Sequence, residues 1–374
     1  RSHDRLLRCR GAGVTDQDRN ALSAEIEAEQ TTDVTAAVEP PRSRWRTIIT
    51  SQVFITLAFL LVLIVLFSLL APGRFGTVLN LSLLAQNVAI LTVVSVGKTF
   101  IIATAGIDLS IPSAIILGEV FTVKALQMIP VDERMAVAIG ANEANVVVII
   151  LPLLAALVAG LLIGAVNGLL VAYLRIAPFI ATLATLGAGL GVALLLMNGV
   201  NAATYAIAEV ADSDLFFGVS NLIVIAAFVV LLGYIGMHMS VFGRHTLAIG
   251  SSDEAARRVG INIKRHLLKV YIVGSVAAGF AGYLSVAYFT TTSVGGHTTD
   301  NLRAITAVAL GGTSLFGGVA TIIGTVIGVW IPAVLQNGFI IIRVQPYWQM
   351  IAVGAVLVAA VALDQWRRRS QNRG

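Results

Sequence analysis

"GSSDEAARRVGINIKRH" occupies residues 250–266, and six of its seventeen residues are Asp, Glu, Arg or Lys. The chain on either side is apolar: "NLIVIAAFVVLLGYIGMHM" (221–239) precedes it and "VYIVGSVAAGFAGYLSVAYF" (270–289) follows. The segment does not rest in a lipid core, because each Asp, Lys or Arg at the centre of a span costs about 2.5–3.5 kcal/mol. A charged island between two such runs is a connection at a membrane surface, and the runs are spans.

Composition extends this reading to the whole chain. Of 374 residues, 57% are hydrophobic and only 12% charged, with a mean hydropathy of +0.88. Soluble domains carry about 25% charged residues. Apolar runs of about 20 residues, each long enough to cross a core of about 30 Å, recur near 48–71, 79–103, 109–128, 146–173, 178–198, 218–239, 269–289, 302–316, 317–337 and 347–364. The expected fold is all-α: a polytopic transmembrane helical bundle of about ten spans. The eighth run is short and suits a half-helix, so eight spans plus re-entrant segments is the other count.

Three regions follow. Residues 1–46 hold eight Arg and eight Asp or Glu. They are expected to form a mostly disordered cytoplasmic tail, with one short helix at 18–30 and no signal-peptide pattern. Residues 47–366 form the transmembrane domain, with a charged loop at 240–268. Residues 367–374 are a basic cytoplasmic tail.

Loop charges set the orientation. Arg42, Arg44 and Arg46 precede the first span, and Arg175 follows the fourth. Loop 240–268 has five Lys or Arg against two acids, and Arg367, Arg368 and Arg369 follow the tenth span. Ten spans put all four basic places on one side. The other side receives 129–145, with three acids and one Arg, and 199–217, with Glu209, Asp212 and Asp214 and no base. The positive-inside rule places both termini in the cytoplasm. The net charge of +5 is thus spread over separate loops and does not form a nucleic-acid-binding face. One cysteine, Cys9, excludes an internal disulfide and a zinc site.

Small residues recur at helical spacing within the spans. "AGLLIGAVNG" (159–168) puts Gly160, Gly164 and Gly168 on one face, and Gly324 and Gly328 repeat the spacing. Such faces let helices approach closely in lipid, which suits a compact bundle and a dimer. "GIDLSIPSAIILGEV" (106–120) and "GTSLFGGVATIIGTV" (312–326) match at six of fifteen positions, the mark of an internal repeat.

The charged segment has the ends of a short helix. Ser251 and Glu254 have capping-box spacing. Asp253 and Glu254 fall in the first turn, and Arg257 and Arg258 in the last, as the helix dipole favours. Gly260 is placed to end the helix in the left-handed conformation. About two turns are expected over 252–259.

"EAARRVG" (254–260) also resembles the cytoplasmic loop of permease subunits of binding-protein-dependent ABC importers. Together with "TAGIDLSIPS" (104–113), "APFIATLATL" (177–186), "LAIGSSDEAARRVGINIKRHLLKVY" (247–271) and "AITAVALGGTSLFGGVATIIGTVIG" (304–328), it makes residues 50–365 similar to the monosaccharide-importer permeases typified by the ribose system. Relatives carry two Gly before Ile-Asp-Leu-Ser where this chain has Ala105-Gly106, Val-Gly after it where this chain has Ile111-Pro112, and often an acid where this chain has Asn301.

The resemblance implies a subunit of the bacterial inner membrane that forms a pathway for a small sugar. A second permease subunit, identical or a sibling, completes the pore within the membrane lipid. A cytoplasmic ABC ATPase subunit holds ATP and Mg, and an extracytoplasmic sugar-binding protein delivers the solute. It implies that Ser252, Asp253, Glu254, Ala255, Ala256, Arg257, Gly260 and Ile261 form the ATPase-coupling element. Asp108, Ser110, Asn167, Phe179, Thr182, Gly311, Gly312 and Thr313 are candidates for pathway lining or structural contacts.

No residue pattern suggests catalysis, a metal or a cofactor bound by this chain. "VGKTF" (96–100) ends like a phosphate-binding loop, but Thr92 stands where a Gly is needed. The five His have no metal-ligand spacing, and His245 and His266 are expected in solvent beside the loop. Lys98, Asp108, Glu119 and Lys124 lie in or near spans two and three. Asp108 suits a helix start, and Lys98 could pair with Glu119. Two other readings stay open at this level: a proton-coupled secondary transporter that titrates Asp108 or Glu119, and a membrane scaffold whose charged loop docks an unrelated partner.

Overall fold

The computed structural model describes residues 52–138, 146–212, 214–216, 219–345, 347–352, 354–356, 358, 359 and 362. The expectations for 1–46, the helix at 18–30, Cys9 and 367–374 lie outside them. The helices are α1 (Gln52–Leu70), α2 (Val78–Ala103), α3 (Ile111–Gln127), α4 (Val131–Ala138), α5 (Val146–Ala172), α6 (Pro178–Met197), α7 (Asn221–Tyr234, continued by a π turn Ile235–Met239), α8 (Val241–Ser251), α9 (Asp253–Arg258), α10 (Ile263–Phe289), α11 (Asp300–Leu310) and α12 (Ile322–Ile341). A single turn, Glu209–Asp212, and a small antiparallel hairpin of β1 (Asp214–Phe216) and β2 (Val219–Ser220) precede α7. A further apolar helix spans Tyr347–Val356.

Each of the ten apolar runs contains a helix. Seven of those helices are long and apolar enough to cross a membrane among the described residues. The 17-residue α3, which carries Glu119 and Lys124, falls short of that standard. So does α11, whose 11 residues rise about 16 Å, half of a core of about 30 Å. The eighth run is therefore a half-helix, completed by the turn 311–321. The paired stretches differ in local structure: the helix begins five residues after Gly106 in the first and ten after Gly312 in the second.

Sequence explains where the helices begin. Thr77, Ser220, Ser240, Asn262 and Thr321 each accept a backbone N–H of the following helix through the side chain, which satisfies a donor that the helix leaves open. The helix α1 shows the simplest packing. Thr56, Leu60, Leu63 and Phe67 are its buried residues, one stripe at helical period. Phe67 lies between Phe75 and Phe339, with ring centroids 5.7 Å from each. Most of the rest of α1 is exposed apolar surface, as lipid requires.

The helix α10 is the centre of the bundle and packs against α5, α3 and α2. The approach is set by Gly160: a Cβ there would lie 2.3 Å from Ser275 O. Gly164 and Gly168 continue the contact onto Ile272 and Leu268. Gly324 and Gly328 face Gly311 and Ala307 of the α11 region in the same way. These faces are spent inside the chain, so they lend no support to a dimer, contrary to the sequence expectation.

Candidate functional site: a charged surface and an opposed polar cavity

The charged segment is more helical than its sequence suggested. The seventh span begins at Ile263, so 240–268 is not a loop but α8, α9 and the first turns of α10. Ser252, not Ser251, caps α9, accepting Ala255 N at 3.2 Å. Ser251 ends α8, and its hydroxyl donates to Leu247 O. Glu254 does not complete a capping box; it pairs with Arg258 one turn on, at 2.5 Å. Gly260 has φ +84°, the left-handed terminus expected.

Ala256 is 2% exposed and packs with Ile249 and Ile263, flanked by Ala248, Ile261 and Leu267. It anchors α9 to α8 and α10. Ser252, Asp253, Glu254, Ala255, Arg257 and Arg258 are exposed, as is Gly260, while Ile261 is half-buried. Val259 is 76% exposed, an apolar surface residue that the sequence reading did not single out. His266 is not in solvent. It is buried against Thr246 Oγ1 at 2.8 Å and the Phe242 ring at 4.7 Å.

Four of the pathway candidates form one buried network. Asp108 Oδ1 accepts Ser110 N at 2.7 Å and Ser110 Oγ at 2.6 Å. Asn167 Nδ2 donates to Ser110 Oγ at 2.7 Å, and Thr185 Oγ1 donates to Asn167 Oδ1 at 2.6 Å. Leu109 N donates to Thr182 Oγ1 at 3.0 Å. This ties the start of α3 to α5 and α6, while Asp108 Oδ2 is buried without a hydrogen-bond partner among the described residues. Phe179 is 51% exposed on α6. Gly311, Gly312 and Thr313 lie together at the end of α11, where Thr313 Oγ1 accepts Thr321 N at 3.2 Å.

Lys98 does not pair with Glu119. Its ammonium donates to Asp108 O at 3.2 Å and to Asn301 O and Oδ1. Glu119, fully buried in α3, meets a different set. Its Oε1 accepts Ser285 Oγ at 2.7 Å and lies 2.8 Å from His297 Nε2, and its Oε2 accepts Ser293 N at 2.8 Å. His297 Nδ1 lies 2.6 Å from Asp300 Oδ2. Both ring nitrogens thus face carboxylates, and a ring with both nitrogens protonated donates to each. Arg303 then approaches Asp300 Oδ1 at 3.5 Å.

This chain of charges floors a cavity of about 750 Å³, within the range of about 300–1,000 Å³ of small-molecule sites. Glu119 is sealed behind it; His297, Asp300 and Arg303 line it. One wall carries Asn80 and Asn337, whose amides exchange two hydrogen bonds of 3.0 Å between α2 and α12. Tyr288 and Gln336 also face it. None of the eight pathway candidates named from the sequence lines it. The signal available was Glu119 itself: a carboxylate in mid-span needs a partner, and "GGHTTDNLR" (295–303) is a polar run leading into a half-helix.

The cavity is built from the first half of α2, the end of α10 and the second half of α12, whereas α8 and α9 pack at the other ends of α2 and α10. The two features therefore lie at opposite ends of the bundle. The arrangement can admit a polar solute at one end and be gripped at the other.

Comparisons with known proteins give the family. The family model described as branched-chain amino acid transport system / permease component matches residues 80–361. The chain is 35% identical over 318 residues to the ribose import permease protein of Escherichia coli strain K12, covering 83% of this chain and 92% of that protein. It is 32% identical over 306 residues to the galactose/methyl galactoside import permease protein of Haemophilus influenzae, covering 78% and 87%. It is 29% identical over 329 residues to the fructose import permease protein of Rhizobium meliloti, covering 85% and 87%. No solved structure matches it. An all-α bundle with a charged surface helix and an opposed polar cavity thus belongs to the permease-component family of branched-chain amino acid transport systems, among its monosaccharide ABC transporter permeases.

Proposed function

We propose that this chain is the membrane-spanning subunit of an ATP-driven importer for a monosaccharide or a similar polyhydroxylated solute. The observation that carries the reading is α9: a short helix, fixed by buried Ala256, with its remaining side chains exposed at the end of the bundle opposite the cavity. A helix of this length is marginal alone in water; packed on two longer helices, it is a rigid knob for a partner. That partner is a cytoplasmic ATPase subunit, which supplies ATP and Mg. The cavity is the outer part of the pathway, filled from an extracytoplasmic binding protein. Side-chain amides, a tyrosine, a carboxylate and a guanidinium suit hydroxyl groups as donors and acceptors. A second permease subunit, a copy or a sibling, completes the pore.

The same reading fixes orientation: an inner-membrane protein with α9 and both termini in the cytoplasm. In a Cys9→Ala background, a membrane-impermeant maleimide added outside whole cells stripped of their outer membrane should label Tyr205→Cys. It should leave Val259→Cys unlabelled until the membrane is opened. Tyr205 and Val259 are 65% and 76% exposed, so each is accessible from its own side. The reverse pattern would invert the topology.

A further inference from the structure

The helix that carries α9 reaches the interior of the bundle. Gly250, next to last in α8, lies backbone against backbone on two other segments. A Cβ on it would stand 1.9 Å from Ala103 O and 2.5 Å from Gly318 N. A Cβ on Gly317 would stand 2.8 Å from both Ala105 N and Gly250 O, and one on Gly318 2.6 Å from Ser251 Oγ. Gly317 and Gly318 both have φ +80°, a backbone conformation that other residues adopt at a cost. Gly318 N donates to Ala103 O at 3.0 Å. The end of α2, the end of α8 and the turn 311–321 thus meet without intervening side chains.

The turn is a closed unit. Ser314 N donates to Val319 O at 3.0 Å, and Thr321 N to Thr313 Oγ1 at 3.2 Å. On one side of the junction only Ser252 separates α8 from α9. On the other, the turn leads into α11, whose far end places Asp300 and Arg303 in the cavity floor. A short helix moves as one body, and close-packed backbone contacts leave little slack to absorb a shift.

We propose that Gly250, Gly317 and Gly318 form a rigid junction that carries displacement of α8 and α9 into α11, and so to the cavity floor. They are positioning residues for transport and contact neither nucleotide nor solute. The inference rests on the reading of α9 as the ATPase contact. A competing route runs along the continuous chain through α10, and it would bypass the junction.

The test uses the assembled complex with its ATPase subunit in nanodiscs, in a Cys9→Ala background. Thr299→Cys, which lines the cavity, reports access through its rate of labelling with and without ATP. Gly250→Val wedges the junction apart. It should leave ATPase binding intact while reducing the ATP-dependent change in labelling by at least about fivefold, the low end of ordinary coupling factors. A second pair, Ser251→Cys with Gly318→Cys, ties the junction together. The Gly318 Cβ would stand 3.3 Å from Ser251 Cβ, near the disulfide range of about 3.5–4.5 Å. With Thr299→Ser and a reporter at Thr291→Cys, labelled after the cross-link has formed, this complex should keep the full response, since the two segments travel together. A cross-linked complex that loses the response and regains it on reduction would overturn the junction, whatever the folding of Gly250→Val. So would a folded, ATPase-bound Gly250→Val complex with an unchanged response. A parent complex that binds the ATPase subunit yet shows no response to ATP would remove the underlying reading of α9, and the junction with it.

Discussion

Glu119→Ala should lower the thermal stability of the detergent-solubilised chain more than any other single change at the cavity. The carboxylate is fully buried and receives Ser285 Oγ, Ser293 N and His297 Nε2. Its removal strands a backbone N–H and an imidazole that also faces Asp300. Breaking a buried charge pair from one side costs about 3–5 kcal/mol, against a whole-domain stability of about 5–15 kcal/mol. Segment 290–299, held at its centre by Glu119, would lose its seat and α11 its starting point. Glu119→Gln should lie between, because it retains the Oε1 acceptor but presents an amide donor to Ser293 N. Fluorescence-detected size exclusion after a heat step reads the order. Equal melting of Glu119→Ala and the parent would show that the buried cluster contributes nothing.

Ala256→Glu should abolish uptake while the spans stay folded. The side chain is 2% exposed among Ile249, Ile263, Ile261 and Leu267. A carboxylate placed there is either buried without a partner, at a cost of several kcal/mol, or pushes α9 off α8 and α10. Either way the surface offered to a partner is lost, while the bundle around α10 is untouched. Val259→Asp tests the same surface from outside. It changes only an exposed side chain, so α9 stays in place, and capture of the ATPase subunit should weaken. Full uptake and full ATPase capture by both variants would make α9 a solvated connection.

Much of this architecture was legible in the sequence. Apolar runs found the spans because lipid requires uninterrupted burial of backbone polar groups. The short eighth run foretold the half-helix α11, and the four-residue glycine spacing foretold a close helix contact for α5, though not that its partner is α10 of the same chain. Gly260 marked the end of α9. Other features depend on pairings between distant residues. The cap moved from Ser251 to Ser252 because α8 continues to Ser251, which local spacing does not reveal. The buried position of Ala256 follows from α8 and α10 folding back on α9. Glu119 met Ser285, Ser293 and His297, more than 160 positions away in sequence, and not the nearer Lys98. The pathway candidates came from motif stretches, and the motif around Asp108 proved to tie α3, α5 and α6 together. The cavity floor came from a polar run with no motif, visible only when α11 is seen to begin inside the bundle.

The central claim is tested most directly by reconstitution. The chain would be placed in liposomes with an ATPase subunit and a sugar-binding protein of this importer class, and uptake of labelled ribose, galactose and fructose followed with and without ATP on the ATPase side. The account predicts accumulation of at least one of these sugars that requires ATP and the ATPase subunit and disappears with Ala256→Glu. Accumulation driven by a proton gradient without the ATPase subunit, or none under any condition from a complex that assembles, would contradict it.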